Sequence, residues 1–184
     1  AWDISYYNLA EGAFYSEQSI KLVEKNGYER LYPRTYHVAG SIYNDMRLEA
    51  NALKYELLAL KYAQKYNQIN QIPLIYNGLG NLYSVKNEYK TALRYFYLSI
   101  EAHKKNRNKN DIYRPYNNLA FVYSKIGNYD SAIYCIELCV ANNLQKNDKR
   151  SLVNNYMTMS EIYFDIKNKE KCLLYSKISV EMAR

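Results

Sequence analysis

Bulky and small side chains recur along this chain with the periodicity of an α-helix. In the segment 76–100 they form two helix faces: Tyr76, Leu79, Gly80 and Tyr83 on the first, and Ala92, Tyr95, Phe96, Ser99 and Ile100 on the second. A turn is predicted between the two faces at Asn87, because asparagine tolerates the left-handed backbone that ends a helix. The segment therefore predicts a helical hairpin whose small residues lie where the two backbones approach each other.

The same pattern returns every 40 residues. The first helix repeats two tyrosine columns, Tyr36, Tyr76, Tyr116, Tyr156 and Tyr43, Tyr83, Tyr123, Tyr163. The second helix repeats a small column and a mostly tyrosine column, Gly12, Ala52, Ala92, Ala132, Cys172 and Tyr15, Tyr55, Tyr95, Cys135, Tyr175. These columns predict four stacked hairpins after one preceding helix, each burying its apolar face only against its neighbours.

These residues resemble the tetratricopeptide repeat, a helix–turn–helix unit of about 34 residues. Gly80, Ala92 and Ser99 stand at its small positions, and Tyr76 stands where the family often has tryptophan. The resemblance implies an all-α fold, a right-handed superhelical solenoid of antiparallel helix pairs. A period of 40 is about six residues longer than usual. Elongated repeats of this kind are similar to those of bacterial regulators and peptide-pheromone receptors.

The periodicity also predicts the organisation of the chain. A single solenoid is expected over residues 1–184, as an incomplete repeat (1–30) followed by repeats at 33–71, 73–111, 113–150 and 151–184. Residues 8–26 are expected to form the last helix of the incomplete repeat. Ile178 and Val180 keep the interior pattern in the final helix, and a terminal apolar face needs a cap. We therefore expect a fragment of a longer protein, or self-association through the terminal helices.

Composition changes this picture little. The net charge of +7 is compatible with nucleic-acid binding, but lysine is abundant together with asparagine, isoleucine and tyrosine, as the codon usage of an AT-rich genome would produce. Twelve of the 23 tyrosines belong to the three tyrosine columns, so they are expected to be scaffold. We predict no direct contact with nucleic acid. There is no apolar run of about 18 residues, so we also predict no membrane span.

No pattern in the sequence indicates catalysis. His37 and His103 have no nucleophile nearby in the pattern, and no HExxH motif, paired carboxylates or phosphate-binding glycine loop is present. The three cysteines occupy core columns without metal-ligand spacing, so free buried thiols and no metal or cofactor are expected. The sequence predicts a protein that is not an enzyme.

Candidate binding residues come from the resemblance, because the first helices of tetratricopeptide arrays line a concave surface that binds peptides. The candidates for a peptide-binding groove are Arg34, His37, Asn77, Asn81, Arg114, Asn117, Asn118 and Phe121. An asparagine amide can pair with both polar groups of a peptide backbone, and an arginine can bind a carboxylate. The alternative is that asparagine is simply common in this chain and solvated on these helices.

The resemblance also implies a role. Asn81 and Asn118 match positions of the carboxylate-clamp grooves in chaperone-binding members, whereas Asn77 stands where those grooves have lysine. A protein or peptide ligand is therefore expected, bound by the sensor or partner-recruiting region of a bacterial regulator. A cytoplasmic location is expected, with the periplasmic sensor region of a membrane-anchored regulator as the alternative. The competing function is a structural scaffold that dimerises an attached signalling or DNA-binding domain.

Overall fold

The computed structural model describes residues 2–106 and 112–183, which form helices joined by short turns. The helices are α1 (Trp2–Lys25), α2 (Tyr32–Asp45), α3 (Glu49–Lys65), α4 (Ile72–Val85), α5 (Tyr89–Lys105), α6 (Tyr113–Lys125), α7 (Tyr129–Gln145), α8 (Lys149–Asp165) and α9 (Lys169–Ala183). A 3-10 turn, Glu29–Leu31, precedes α2. Neither described range contains a β-strand, so the predicted all-α class is confirmed.

Consecutive helices pack as pairs: α2 with α3, α4 with α5, α6 with α7, and α8 with α9. This confirms a repeat-like arrangement of helices. The chain divides into two compact units, Ala1–Asn108 and Lys109–Arg184, called here the N-terminal and C-terminal units. In the N-terminal unit α4 also packs on α2 and α3, and in the C-terminal unit α8 packs on α6 and α7. The sequence had predicted one array, without this division.

Stacked tyrosines fill the space between the two helices of a pair. Tyr55 of α3 lies between Tyr36 and Tyr43 of α2, with ring centroids 6.0 and 5.5 Å apart. The same triad recurs in two later pairs, as Tyr76–Tyr95–Tyr83 and Tyr156–Tyr175–Tyr163. In the third pair Cys135 takes the central position and is buried. The predicted tyrosine columns therefore correspond to one recurring packing unit, in which aromatic contacts add to the burial of apolar area.

The small column lies where the paired helices come closest. Ala52, Ala92 and Ala132 are fully buried. Two turns further along, Ser99 donates from Oγ to the carbonyl oxygen of Pro73 at 2.7 Å. Cys139, at the equivalent position, donates from Sγ to the carbonyl oxygen of Tyr113. A larger side chain at these positions would separate the helices, since protein interiors are close-packed.

Helix ends repeat with the same period as the core. A left-handed residue ends the first helix of each pair at Arg47, Asn87, Gly127 and Lys167, and ends the second helix or α1 at Gly27, Asn67 and Asn147. Asparagine and glycine adopt this conformation readily, which the sequence predicted at Asn87. Arg47 and Lys167 were not predicted, because neither residue type favours a positive φ. At these two positions the backbone geometry that recurs every 40 residues outweighs the conformational preference of the residue itself.

Some helix boundaries differ from those expected. The helix expected over residues 8–26 is continuous from Trp2, and α8 begins at Lys149 because the side chain of Asp148 caps it, two residues before the expected repeat boundary. The expected boundary at residue 111 and the chain ends at Ala1 and Arg184 lie outside the described residues. Within those residues, no helix has the combination of length and apolar character that crossing a membrane requires.

Apolar side chains on the final helix are only partly covered, as the sequence predicted. Val180 of α9 is 54% exposed, whereas Ile100, at the same position of its repeat, is 3% exposed. Ile178 is half-buried.

The close approach of α4 and α5 can be tested at Gly80. A Cβ there would overlap the ring of Phe96, which is fully buried and cannot turn away. We expect Gly80→Ala to lower the free energy of unfolding by about 1–3 kcal/mol. The matched control is Gly12→Ala, whose Cβ would make an ordinary contact with Ile42 at 3.7 Å. The control is expected to raise the free energy of unfolding by up to about 1 kcal/mol through helix propensity.

Urea denaturation followed by circular dichroism measures both variants. Equal effects of the two substitutions would contradict the packing described for Gly80.

Candidate functional site

The best-defined polar contact in the N-terminal unit joins His37 of α2 to Glu56 of α3. His37 Nδ1 lies 2.9 Å from Glu56 Oε2 and 3.1 Å from Oε1. The Glu56 side chain is 2% exposed and that of His37 is 19% exposed. A buried carboxylate is costly unless it is paired. The imidazole of His37 is therefore the group that compensates Glu56.

Two glycines make room for the buried carboxylate. A Cβ on Gly40 of α2 would lie 2.9 Å from Glu56 Cγ, and a Cβ on Gly78 of α4 would overlap Oε1 and lie 2.8 Å from Cδ. The Glu56 side chain therefore occupies the space that side chains of α2 and α4 would otherwise fill. The side chain of this one residue of α3 thus contacts two other helices, α2 and α4.

The electrostatics of this contact are set by burial. Burial raises the pKa of Glu56, and the hydrogen bond with His37 opposes that rise. A carboxylate at Nδ1 also fixes the orientation of an imidazole ring, as it does for metal-bound histidines. Glu56 therefore holds the His37 ring through Nδ1, and Nε2 is the ring nitrogen outside this contact.

The other candidates in the N-terminal unit face different surroundings. Arg34 is exposed and lines a cleft of about 360 Å³ between α1 and α2, with Tyr15 and Val38 among its walls. Asn77 and Asn81 are half-buried on α4, one helical turn apart. Arg34 lies one helical turn before His37 on α2; it borders this cleft, whereas His37 contacts Glu56.

A chain of asparagine side chains crosses the C-terminal unit. Asn142 donates to Asn143 at 3.1 Å, Asn143 donates to Asn155 at 2.7 Å, and Asn155 donates to Asn117 at 3.2 Å. Asn155 is 4% exposed and Asn117 is exposed. The assigned direction follows from satisfying every amide in turn. The side-chain oxygen of Asn117 thereby accepts a hydrogen bond from the buried Asn155, and its NH₂ group is left as a donor.

The remaining candidates lie on α6 with Asn117. Arg114 is exposed, Asn118 is half-buried, and Phe121 is 47% exposed. Phe121 contributes to a cleft of about 340 Å³ between α6 and α8. These residues share a helix, and their side chains differ widely in burial.

Sequence reasoning missed the partners Glu56 and Asn155, which are buried, and Asn143, which is half-buried. Glu56 offered a signal, because it is the charged residue in a column that also holds Phe96 and Ile136, both fully buried. The columns of Asn155 and Asn143 offered a weaker one, because they hold other polar residues, Thr35 and His103.

The cysteines agree in part with expectation. Cys135, Cys139 and Cys172 are free, and the first two are buried while Cys172 is half-buried. Burial raises the pKa of Cys135 to about 11 and that of Cys139 to about 12, so both are thiols at neutral pH. No cluster of three or more histidine, cysteine or acidic side chains suited to a metal occurs among residues 2–106 and 112–183.

Comparisons with known proteins support the fold. No protein-family model and no curated protein matches the chain. The crystal structure of BtubC (BKLC) from P. vanneervenii is similar, with a TM-score of 0.71 and 14% identity, over 100% of this chain and 91% of that one. At this identity the likeness extends to the fold alone.

The burial of Glu56 predicts a pH dependence of stability. Its folded-state pKa is raised above the ordinary value of 4.5, so its stabilising contribution is complete below that pH and is lost as pH rises through the folded-state pKa. His37 is the titratable group that opposes the shift. We expect the free energy of unfolding of the native chain to fall, relative to Glu56→Gln, as pH rises above 4.5.

Urea denaturation of the native chain and of Glu56→Gln, at a series of pH values from 4.5 upward, measures the difference in their free energies of unfolding. Glu49→Gln, at an exposed glutamate of the same helix, is the control and is expected to leave the pH slope unchanged. A difference between native and Glu56→Gln that stays constant with pH would argue against a raised pKa.

The glycine at position 78 can be tested by a double-mutant cycle. In the native chain we expect Gly78→Ala to cost about 1–3 kcal/mol, because the new methyl would overlap Glu56 Oε1. In the Glu56→Ala background the space is open, so the higher helix propensity of alanine makes the substitution neutral or stabilising by up to about 1 kcal/mol. Additive effects in the cycle would mean that the two residues do not contact each other.

Proposed function

We propose that, in each of the two units, the first helices of the pairs form a surface that binds an extended peptide or protein segment. One observation carries the proposal: polar groups on two of these helices are oriented by buried partners from neighbouring helices. Glu56 holds His37 on α2, and Asn155 holds Asn117 on α6. A histidine or asparagine whose only role was to face solvent would not need a buried partner.

Pre-orientation has a direct energetic consequence for binding. A flexible polar side chain loses conformational freedom when a ligand fixes it, and this loss lowers affinity. His37 and Asn117 have already lost that freedom on folding. The NH₂ group of Asn117 suits a backbone carbonyl of a peptide.

The finer assignment belongs to the same proposal. We infer a tetratricopeptide-like array with right-handed winding and four repeats, acting without catalysis as the sensor or recruiting region of a bacterial regulator. The tyrosine and alanine columns and the packing of consecutive helices as pairs support the repeat array. Either a cytoplasmic location or that of a periplasmic sensor region fits this role.

A second candidate function rests on a separate observation. Val180 is far more exposed than its counterpart Ile100, and Phe164 and Leu173 are 72% and 70% exposed. Exposed apolar side chains of this kind favour an interface. We therefore propose self-association through α8 and α9 as the alternative function. It would dimerise an attached signalling or DNA-binding domain.

Selection of random peptides by phage display on the immobilised protein tests peptide binding. We expect enriched peptides whose dissociation constants, measured by calorimetry, rise about three- to tenfold with Asn77→Ala or Asn81→Ala where the peptide binds the N-terminal unit, and with Asn117→Ala where it binds the C-terminal unit, because each substitution removes one hydrogen bond to the ligand. The matched control is Asn51→Ala, at an exposed asparagine of the second helix α3.

Failure to enrich any peptide would refute the proposal, as would peptides that bind all three variants as tightly as the control. Mass in solution tests the alternative: a dimer that Val180→Asp converts to a monomer would favour the scaffold function.

A further inference from the structure

We propose that the cleft between α6 and α8 in the C-terminal unit binds an arginine side chain. Two aromatic rings, Phe121 and Phe164, and two carboxylates, Glu161 and Asp165, line this space of about 340 Å³. That the arginine belongs to a peptide rests on the proposed function. The preference of the cleft for a guanidinium group rests on the cleft alone.

The aromatic rings provide the apolar part of such a site. Phe121 is 47% exposed and Phe164 is 72% exposed, although phenylalanine has no polar atom that water can satisfy. The face of an aromatic ring attracts a cation, and arginine is the side chain found there most often because its flat guanidinium group also stacks. An arginine inserted here would cover both rings.

The carboxylates provide the charge. Glu161 and Asp165 are one helical turn apart on α8, and both border the cleft. Ser124 of α6 donates a hydrogen bond to Asp165 Oδ2 at 3.4 Å, which favours one orientation of that carboxylate. Carboxylates bind the guanidinium fork through paired hydrogen bonds. Two negative charges beside two rings therefore complement arginine in a chain whose net charge is +7.

Lys125 of the protein itself already contacts one of the rings, that of Phe121. Lys125 Nζ lies 5.3 Å from the centroid of the Phe121 ring, within the range of a cation–π contact. The ring is therefore accessible to a cation in this position. Lys125 is exposed on its helix, so a ligand arginine could displace it while the lysine moves into solvent.

The chain offers a specific spectroscopic test, because it has four phenylalanines. In the full chain labelled with ¹³C at phenylalanine, Phe121 and Phe164 report on the cleft. Phe14 of α1 is an exposed control, and the fully buried Phe96 is a control for unfolding. The probe is N-acetyl-arginine-methylamide, compared with the uncharged N-acetyl-norleucine-methylamide.

We expect saturable shifts of Phe121 and Phe164, without shifts of Phe14 or Phe96, and an affinity for the arginine probe at least about fivefold above that for norleucine. The double variant Glu161→Gln, Asp165→Asn should lose at least about fivefold in affinity. Lys125→Gln should bind more tightly than the native chain. Lys149→Gln removes the same charge about 18 Å along α8 from Glu161, and should change affinity less.

Three results would overturn the proposal: no shift of Phe121 and Phe164, equal binding of the norleucine probe, or equal effects of Lys125→Gln and Lys149→Gln. Peptides selected as above that still depend on Asn117, without any arginine shift, would leave peptide binding intact and refute only this site. Arginine binding without any selected peptide would refute only the proposed function.

Discussion

The close approach of the two helices in each pair is the constraint on which the rest of the structure depends. It favours a small side chain where the backbones meet: Ala52, Ala92 and Ala132 have no exposure there, and Cys172 stands at this position in the fourth pair. It leaves a wider gap beside that point, which a tyrosine in ring contact with two others fills in three of the four pairs. Side chains of two sizes at a fixed spacing therefore bring each pair together.

Departures from this rule are the most informative positions. Glu56 places a carboxylate where the next two repeats have phenylalanine and isoleucine and the last has serine, and a Cβ on Gly40 or Gly78 would collide with it. Asn155 places a buried amide in a column that holds Ile75, Pro115 and Thr35 elsewhere. Natural proteins break local packing rules mainly at functional or strained sites. Both departures support groups on first helices, which links the core to the surface proposed to bind a ligand.

The polar features of the two units differ in chemistry. The N-terminal unit presents an imidazole oriented by a carboxylate, and the C-terminal unit presents an amide together with an acidic, aromatic cleft. A repeated fold keeps its core columns constant because each pair must pack in the same way. Its first-helix positions outside those columns are free to vary, and this variation is what gives such a scaffold specificity.

The sequence by itself determined the helical class, the tyrosine and alanine columns and the turn at Asn87, because periodicity and backbone preference act over a few neighbouring residues. It could not reveal that Glu56 lies against Gly78 or that the chain divides into two units. Nor could it predict a left-handed backbone at Arg47 or Lys167. These properties depend on partners on other helices, so only packing in three dimensions decided them.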